Sequence, residues 1–260
     1  MVSQKSYKKI IFHIPHSSIK IPKEYRSHIS LSDKNLAEEI RLMTDWYTDE
    51  LFDKAVSNYG IAVKFPISRL VVDPERFADD EHECMSKVGM GVLYTKTSHG
   101  ELLRDPKYTQ GKVRSEILDR YYFPHHNELT SAVCDELDKN NLVLIIDCHS
   151  FPEKALPYEL DQKQSRPDIC IGTDPYHTPH ELGEGLKNSF ENLGYQTHLN
   201  NPFSGSIVPN VHYHKNKKVH SVMIEVNRSL YMHNETTERN KRFQKIKCDI
   251  HAALNIIFSK

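Results

Sequence analysis

Three side chains that could carry out chemistry stand at comparable places in the sequence. His16 and His149 each come soon after a run of apolar residues, and Glu225 interrupts a third such run. Neutral imidazoles are good zinc ligands, and a carboxylate among apolar residues is costly unless it is paired, protonated or used in chemistry. Together these residues indicate metal-assisted hydrolysis, in which a metal activates a water molecule and a glutamate accepts its proton.

Taken one at a time, the two histidines also fit plainer interpretations. His149 could be a residue at a strand end that forms only local hydrogen bonds, and His16 could be a turn residue fixed by Pro15. The recurrence of the same arrangement favours a shared site, because two imidazoles on neighbouring strand ends can bind one ion.

A carboxylate is expected to join these histidines. Asp45 and Asp49 are four residues apart, so they would share one face of a helix that continues from about Lys34 to Val56. Two acids on one helix face usually mark a solvated surface, but these two lie beside Trp46, the only tryptophan, which favours a pocket wall. We therefore predict a metal role for Asp45 in preference to Asp49.

Two arginines could act on a substrate. Arg69 and Arg76 bracket a short segment that contains Asp73 and Glu75. A guanidinium group can hold a carboxylate through two parallel hydrogen bonds or stabilise a developing oxyanion. The alternative is a set of surface ion pairs between the arginines and these two acids.

The elements that must position these residues are the strands of an α/β sheet. Unbroken runs of branched residues, such as Leu142 to Ile146, are typical of strands buried on both faces. In open α/β sheets, ligands bind at the carboxyl ends of the strands. Residues 77–110 lose their periodicity and are predicted to form an ordered lid or pocket rim. A helix over 112–138 should break near Pro124, where the pair 125–126 (two histidines) either faces the site or lies on the surface.

Composition bounds the class of protein. The chain has 260 residues, a net charge of −1 and 38% hydrophobic residues, so no overall charge favours nucleic acid or a membrane surface as a partner. The polar start, Met1 to Lys9, leads into an apolar stretch too short for a signal peptide, and no stretch approaches a membrane span. Five scattered cysteines without CxxC spacing suggest reduced thiols. We expect a cytoplasmic protein with one domain over residues 1–260, and the oligomeric state stays open.

Five motifs in order resemble the N-formylglutamate amidohydrolase family. They are Pro15-His16-Ser17, Thr44-Asp45-Trp46, Ser68-Arg69 through Asp73 to Arg76, Asp147-Cys-His149-Ser150 and Glu225-Val-Asn-Arg228-Ser-Leu-Tyr231. The resemblance covers roughly residues 10 to 232. It implies an α/β fold with a mixed central sheet flanked by helices, in the three-layer architecture of zinc carboxypeptidases and aspartoacylases.

The resemblance also implies roles for individual residues. His16 and His149 would be zinc ligands, Glu225 the general base and Arg69 the oxyanion donor. The carboxypeptidase-like pattern has a glutamate three residues after the first histidine, where this chain has Ile19. Asp45 is therefore our choice for the third ligand of Zn²⁺, or of another divalent metal.

The substrate implied by the resemblance is N-formyl-L-glutamate or a related small, acidic N-acyl amino acid. Its binding residues would be Ser150, Arg76, Asn227 and Arg228. The family segment that often reads Asp-Leu-Asn-Arg is Asp-Pro-Glu-Arg here, so Glu75 brings a negative charge near a carboxylate-binding arginine. The usual Gly-Gly loop is also altered, to Phe-Ser-Gly-Ser at 203–206.

Two other functions remain open from the sequence. A zinc carboxypeptidase acting on peptides or cell-wall fragments would place a terminal carboxylate beside Arg76 or Arg228. It would release a free amino acid rather than formate. A non-catalytic metal- or ligand-binding protein could have the same scaffold, but this hypothesis does not explain an acid at position 225 within an apolar strand.

Overall fold

The centre of the molecule is one six-stranded sheet with the strand order β2-β1-β3-β6-β4-β5. The structure is a computed structural model that describes residues 7–159, 161–162 and 165–257. The strands are β1 (Ile10–Ile14), β2 (Gly60–Lys64), β3 (Val143–Phe151), β4 (Ile169–Thr173), β5 (Thr197–Leu199) and β6 (Val219–Asn227). Every residue of β1, β3 and β6 is buried, which explains why their apolar residues form continuous runs instead of alternating with polar ones.

The sheet is mixed, as expected. Strands β2, β1, β3 and β6 run parallel to one another, whereas β4 pairs antiparallel with β6 and carries β5 parallel to itself. The carboxyl ends of the four parallel strands therefore meet at one edge of the sheet.

Helices cover both faces of this sheet. The helices are α1 (Lys23–Arg26), α2 (Asp33–Met43), α3 (Thr48–Leu51), α4 (Asp53–Tyr59), α5 (Gly111–Ile117), α6 (Phe123–Asn140), α7 (His180–Asn192) and α8 (Phe243–Leu254). Phe12 and Ile146 pack on one face with residues of α3, α4, α7 and α8. Ile11 and Ile145 point to the other face, where α6 packs. The structure thus confirms the α/β fold with a mixed central sheet between helices.

The prediction of one helix from Lys34 to Val56 is wrong. Helix α2 ends at Met43, Thr44 is extended, and Tyr47 adopts a left-handed conformation with φ 63°. The chain leaves the helix here because the Asp45 N–H donates to the carbonyl oxygen of His16 (3.0 Å), which fixes residue 45 beside the end of β1. Asp45 and Asp49 consequently share no helix face.

The long segment without periodicity is ordered and consists of turns and two short 3₁₀ helices, Cys84–Val88 and Pro106–Thr109. Met90, Val92 and Tyr94 are fully buried, whereas Phe77 and Met85 line the cavity at the strand ends. These positions match the predicted pocket rim.

The helical stretch after residue 110 is interrupted as predicted. A π-helical turn at Leu118–Tyr122 lies between α5 and α6, and Pro124 is the second residue of α6, directly after this change of helical geometry. In the part of the chain that the structure describes, no helix has the length and apolar character needed to cross a membrane. Residues 1–6 of the polar start lie outside the described residues.

Candidate active site

Strand register brings the chemically active residues to one edge of the sheet. In the parallel pair of β3 and β6, His149 lies opposite Glu225, and in the pair of β1 and β3, His13 lies opposite Asp147. Residues two apart in a strand point to the same face, so Asp147 and His149 share a side. All four side chains are buried.

His16, Asp45 and His149 converge as the sequence predicted. His149 Nδ1 lies 2.9 Å from Asp45 Oδ2, and His16 Nδ1 lies 3.6 Å from the same oxygen. The two rings are 5.1 Å apart between centroids, and one ligand atom from each of the three residues lies within 4.8 Å of the others. Their role as metal ligands stays a prediction.

The hydrogen bonds of His16 leave one ring nitrogen available for a metal. His16 Nε2 donates to Asp73 Oδ1 (2.9 Å), because a carboxylate can only accept. His16 Nδ1 is buried and has no hydrogen-bond partner. A histidine that donates one N–H to a carboxylate while its other nitrogen is free has the arrangement found around bound metals. The residues present therefore fit a metal such as zinc.

The charges around His149 also favour a cation. Both ring nitrogens face carboxylates, Nδ1 facing Asp45 and Nε2 facing Asp147 at 3.1 Å. Burial would lower the pKa of His149, but Glu75 and Asp147 outweigh it and raise this pKa well above its usual value. Burial would raise the pKa of Asp45, yet the hydrogen bond with His149 and the nearby His16 ring hold this pKa well below its usual range. A proton on the His149 imidazole thus offsets part of the negative charge of these carboxylates, and a metal ion with two positive charges would offset more of it.

Arg69 lies at the cavity beside this group. It donates through Nη2 (2.8 Å) and Nε (3.2 Å) to Asp73 Oδ2, which also accepts from the Tyr94 hydroxyl. Burial opposes the charge of Arg69, but Asp73 raises the pKa of the guanidinium well above its usual value, so Arg69 is a permanent cation. Its Nη1 lies 4.0 Å from Asp45 Oδ1.

Glu225 is the least satisfied carboxylate of the site. Its side chain is 8% exposed, and its Oε2 is buried without a hydrogen-bond partner. Burial raises the pKa of Glu225 to about 8; the nearby carboxylates of Asp45 and Glu75 add to the shift, and His149 and Arg228 oppose it. An acid with spare hydrogen-bonding capacity beside a candidate metal group has the properties of a proton acceptor.

A cavity of about 530 Å³ opens at this edge of the sheet. It is large enough for a small amino-acid derivative. Residues of the site that line it are His16, Asp45, Arg69, Glu75, Arg76, Asp147, His149, Ser150, Glu225 and Arg228.

The two arginines expected to bind substrate differ in their partners. Arg228 donates to the carbonyl oxygens of Leu42 (2.6 Å) and Ser150 (3.2 Å) and to Asp45 Oδ1 (3.2 Å), so it is committed to the protein. Arg76 lines the cavity, and its Nε has no hydrogen-bond partner. Arg76 is therefore the better placed of the two for a substrate carboxylate.

Asn227 does not take the position expected from the sequence. Its side chain accepts from Ser229 N–H (3.1 Å) and donates to the carbonyl oxygen of Pro167 (3.1 Å), outside the residues that line the cavity. The amide closes the turn after β6 instead, because a short polar side chain at a strand end can satisfy the backbone N–H groups that follow it.

One residue of the site, His13, was not singled out from the sequence. His13 Nδ1 donates to Asp147 Oδ1 (2.8 Å), and its Nε2 lies 2.9 Å from His125 Nε2. His126 contacts the carbonyl oxygen of Pro74 (2.8 Å). His125 and His126 therefore face the back of the site. Of the two interpretations that the sequence left open for this pair, a position at the site or on the surface, the structure supports the first. The available signal was His13 itself, a polar residue within an apolar strand and three positions before His16.

Comparisons with known proteins agree with this fold. The chain matches a family model described as N-formylglutamate amidohydrolase over residues 8–232. It is 27% identical over 239 residues to an N-formylglutamate deformylase of Pseudomonas putida, with 88% of this chain and 83% of that protein covered. A second N-formylglutamate deformylase, from Pseudomonas aeruginosa, is 25% identical over 208 residues, covering 77% and 76%. The structure of an N-formylglutamate amidohydrolase from Ralstonia eutropha JMP134 superposes with a TM-score of 0.81 at 21% identity, covering 97% of this chain and 94% of that one.

Proposed function

This chain belongs to the N-formylglutamate amidohydrolase family, and on that premise we propose that it hydrolyses the amide bond of N-formyl-L-glutamate or a related small N-acyl amino acid. The products are formate, or another carboxylate, and the free amino acid. The names of its two Pseudomonas relatives support this substrate. The observation that carries the proposal is the convergence of His16, Asp45 and His149 beside the buried acid Glu225.

A divalent metal fits the three-residue group. His16 Nδ1, Asp45 and His149 Nδ1 would hold Zn²⁺ or another divalent ion, since two imidazoles and a carboxylate are a common zinc ligand set. When bound, such an ion polarises the scissile carbonyl, lowers the pKa of a water molecule and, by its charge, favours the ionised form of nearby acids.

Glu225 moves the proton in this proposal. Its carboxylate accepts a proton from the attacking water as the new carbon–oxygen bond forms. The same proton then passes to the amide nitrogen, so that the carbon–nitrogen bond breaks and a neutral amine leaves. The unpartnered Oε2 in the cavity gives Glu225 a free acceptor atom for this transfer.

Arg69 stabilises the charge that develops on the carbonyl oxygen. Asp73 holds the guanidinium in one orientation through two hydrogen bonds, while Nη1 is the nitrogen nearest Asp45. A donor fixed before the reaction does not have to reorganise during it, which is why such groups contribute strongly to catalysis.

Arg76 and Ser150 bind the acidic part of the substrate. Both line the cavity, and Arg76 has a donor without a partner in the protein. Arg228 contributes mainly by holding Asp45 in place through its Nη2.

The test is metal analysis of the purified protein combined with an assay of formate release from N-formyl-L-glutamate. We expect bound divalent metal, formate release that stops after chelation, and recovery when Zn²⁺ is restored. Asp45→Asn should lose both metal and activity, whereas the matched control Asp49→Asn, a change of a part-exposed acid near Lys64, should keep both. Full activity in metal-free protein, or no formate release from any N-formyl amino acid, would contradict the proposal.

A further inference from the structure

We propose that His13, Glu75 and Asp147 bind a second divalent cation, next to the group formed by His16, Asp45 and His149. One ligand atom from each of these three residues lies within 4.8 Å of the others. This inference goes beyond the proposed function, which requires only one ion. It concerns binding and does not depend on which amide the protein cleaves.

The geometry of this second group suits coordination. His13 Nδ1 lies 2.8 Å from Asp147 Oδ1 and 3.5 Å from Glu75 Oε1. Ligand atoms bonded to a tetrahedral zinc at its usual bond lengths are separated by about 3.4 Å, so small side-chain movements would complete the site. His13 is 1% exposed and Asp147 2%, whereas Glu75 is 15% exposed and lines the cavity, which gives an ion a way in.

A buried nitrogen without a partner lies where the two groups meet. His16 Nδ1 has no hydrogen bond, although it is 3.6 Å from Asp45 Oδ2 and 3.9 Å from Glu75 Oε2. His149 also lies between the groups, with Nδ1 on Asp45 and Nε2 3.0 Å from Glu75 Oε2. The two groups of ligand atoms are thus contiguous, and the ring of His149 lies between them.

The tautomer of His13 can be set by the residue behind it. Its Nε2 lies 2.9 Å from His125 Nε2, so one ring must donate a proton and the other must accept it. When an ion replaces the proton that His13 Nδ1 donates to Asp147, His13 Nε2 becomes the donor to His125 and the Nδ1 lone pair coordinates the ion. This is the support that metal-binding histidines commonly receive from a neighbouring acceptor.

The second group depends on the charge of Glu75. An asparagine at this position would be neutral and would leave the group with one carboxylate, that of Asp147. A cation held by Glu75 would also cancel the negative charge that this residue brings beside Arg76, the proposed anchor for a substrate carboxylate. Two carboxylates and one imidazole suit Zn²⁺ or Mn²⁺.

The experiment counts ions directly. Metal-free full-length protein is titrated with Zn²⁺, and separately with Mn²⁺, by calorimetry, and the bound metal is measured after gel filtration. We expect two ions per chain for the wild type and one for Glu75→Asn and for His13→Gln. Asp45→Asn should remove the ion of the first group, and Glu128→Gln, which removes an exposed acid on α6, should keep both ions.

The outcomes separate this inference from the proposed function. One ion in the wild type, with the same affinity in Glu75→Asn, overturns the second site and leaves the first intact. Two ions that persist in both Glu75→Asn and His13→Gln also overturn it, because these ligands would then be irrelevant. Circular dichroism and thermal melting of each variant show that a lost ion is not a lost fold.

Discussion

Asp147 on β3 and Glu225 on β6 are buried acids on neighbouring strands, yet their surroundings give them opposite proton affinities. Asp147 accepts hydrogen bonds from His13 (2.8 Å), His149 (3.1 Å) and the N–H of Ile207 (3.1 Å). Burial would raise the pKa of Asp147, but His149 and His13 hold this pKa well below its usual range. Glu225 keeps one oxygen without a partner, and burial raises its pKa to about 8.

The difference shows that hydrogen-bond partners, more than the depth of burial, set the proton affinity of a buried carboxylate. Three donors make Asp147 a fixed anion that holds both histidines and the loop before β6. Glu225 has an oxygen without a hydrogen-bond partner, so its carboxyl group can accept and return a proton. The following predictions test this contrast, beginning with the largest effect.

Replacing Asp147 should cost the most stability. Asp147→Asn removes the charge that His13 and His149 share, and breaking such a buried pair costs about 3–5 kcal/mol. The measurement is urea denaturation of wild type and variant, both in excess chelator so that metal binding does not contribute. A loss below about 1 kcal/mol, as for an ordinary surface change, would mean that these bonds do not anchor the site.

The same contrast between free and occupied polar atoms separates Arg76 from Arg228. Arg76→Lys removes a planar guanidinium whose Nε has no hydrogen-bond partner in the protein, so the KM for N-formyl-L-glutamate should rise about 10–100-fold with a smaller change in kcat. Steady-state kinetics give both constants. An unchanged KM would mean that a residue other than Arg76 binds the substrate carboxylate.

Glu225→Gln should leave stability nearly unchanged, in contrast to Asp147→Asn. The amide has the same size and removes an acid that burial disfavours, so the free energy of unfolding should stay within about 1 kcal/mol of the wild type. The two variants are compared in one denaturation series under chelation. Equal destabilisation would remove the distinction between the two acids.

The smallest effect is expected at Glu39, a buried acid on α2 with only neutral donors. It accepts from the N–H (2.7 Å) and hydroxyl (2.9 Å) of Ser98, but burial outweighs both bonds and raises the pKa of Glu39. The folded state then binds the Glu39 proton more tightly than the unfolded state does, so protonation of Glu39 stabilises the fold. This contribution to the free energy of unfolding is complete below the unfolded pKa and is lost as pH rises through the folded pKa.

Glu39→Gln should therefore be slightly more stable than wild type at pH 7, by up to about 1 kcal/mol, with the difference vanishing below about pH 4. Thermal melting of both proteins across this pH range measures it. A stability difference that grows towards low pH would show that the pKa is lowered instead.

Much of the fold and the central group followed from the sequence. Apolar runs gave the buried strands, and the polar residues after or within them were correctly expected at one sheet edge. His13 was overlooked although it interrupts an apolar strand, because the residues that it contacts lie far away in the sequence. Its partner Asp147 is set by strand register, which depends on pairing across 134 positions of sequence. The helix after Lys34 was extended too far, since a tertiary bond from Asp45 to His16 overrides helical periodicity there.

The central claim is that Glu225 transfers the proton during amide hydrolysis, and the kcat of Glu225→Gln tests it most directly. With metal content matched to the wild type, formate release from N-formyl-L-glutamate should fall about 10²–10⁴-fold, the usual contribution of a positioned acid–base group, while KM stays close to the wild-type value. A variant that binds the substrate and releases formate at the wild-type rate would contradict the account.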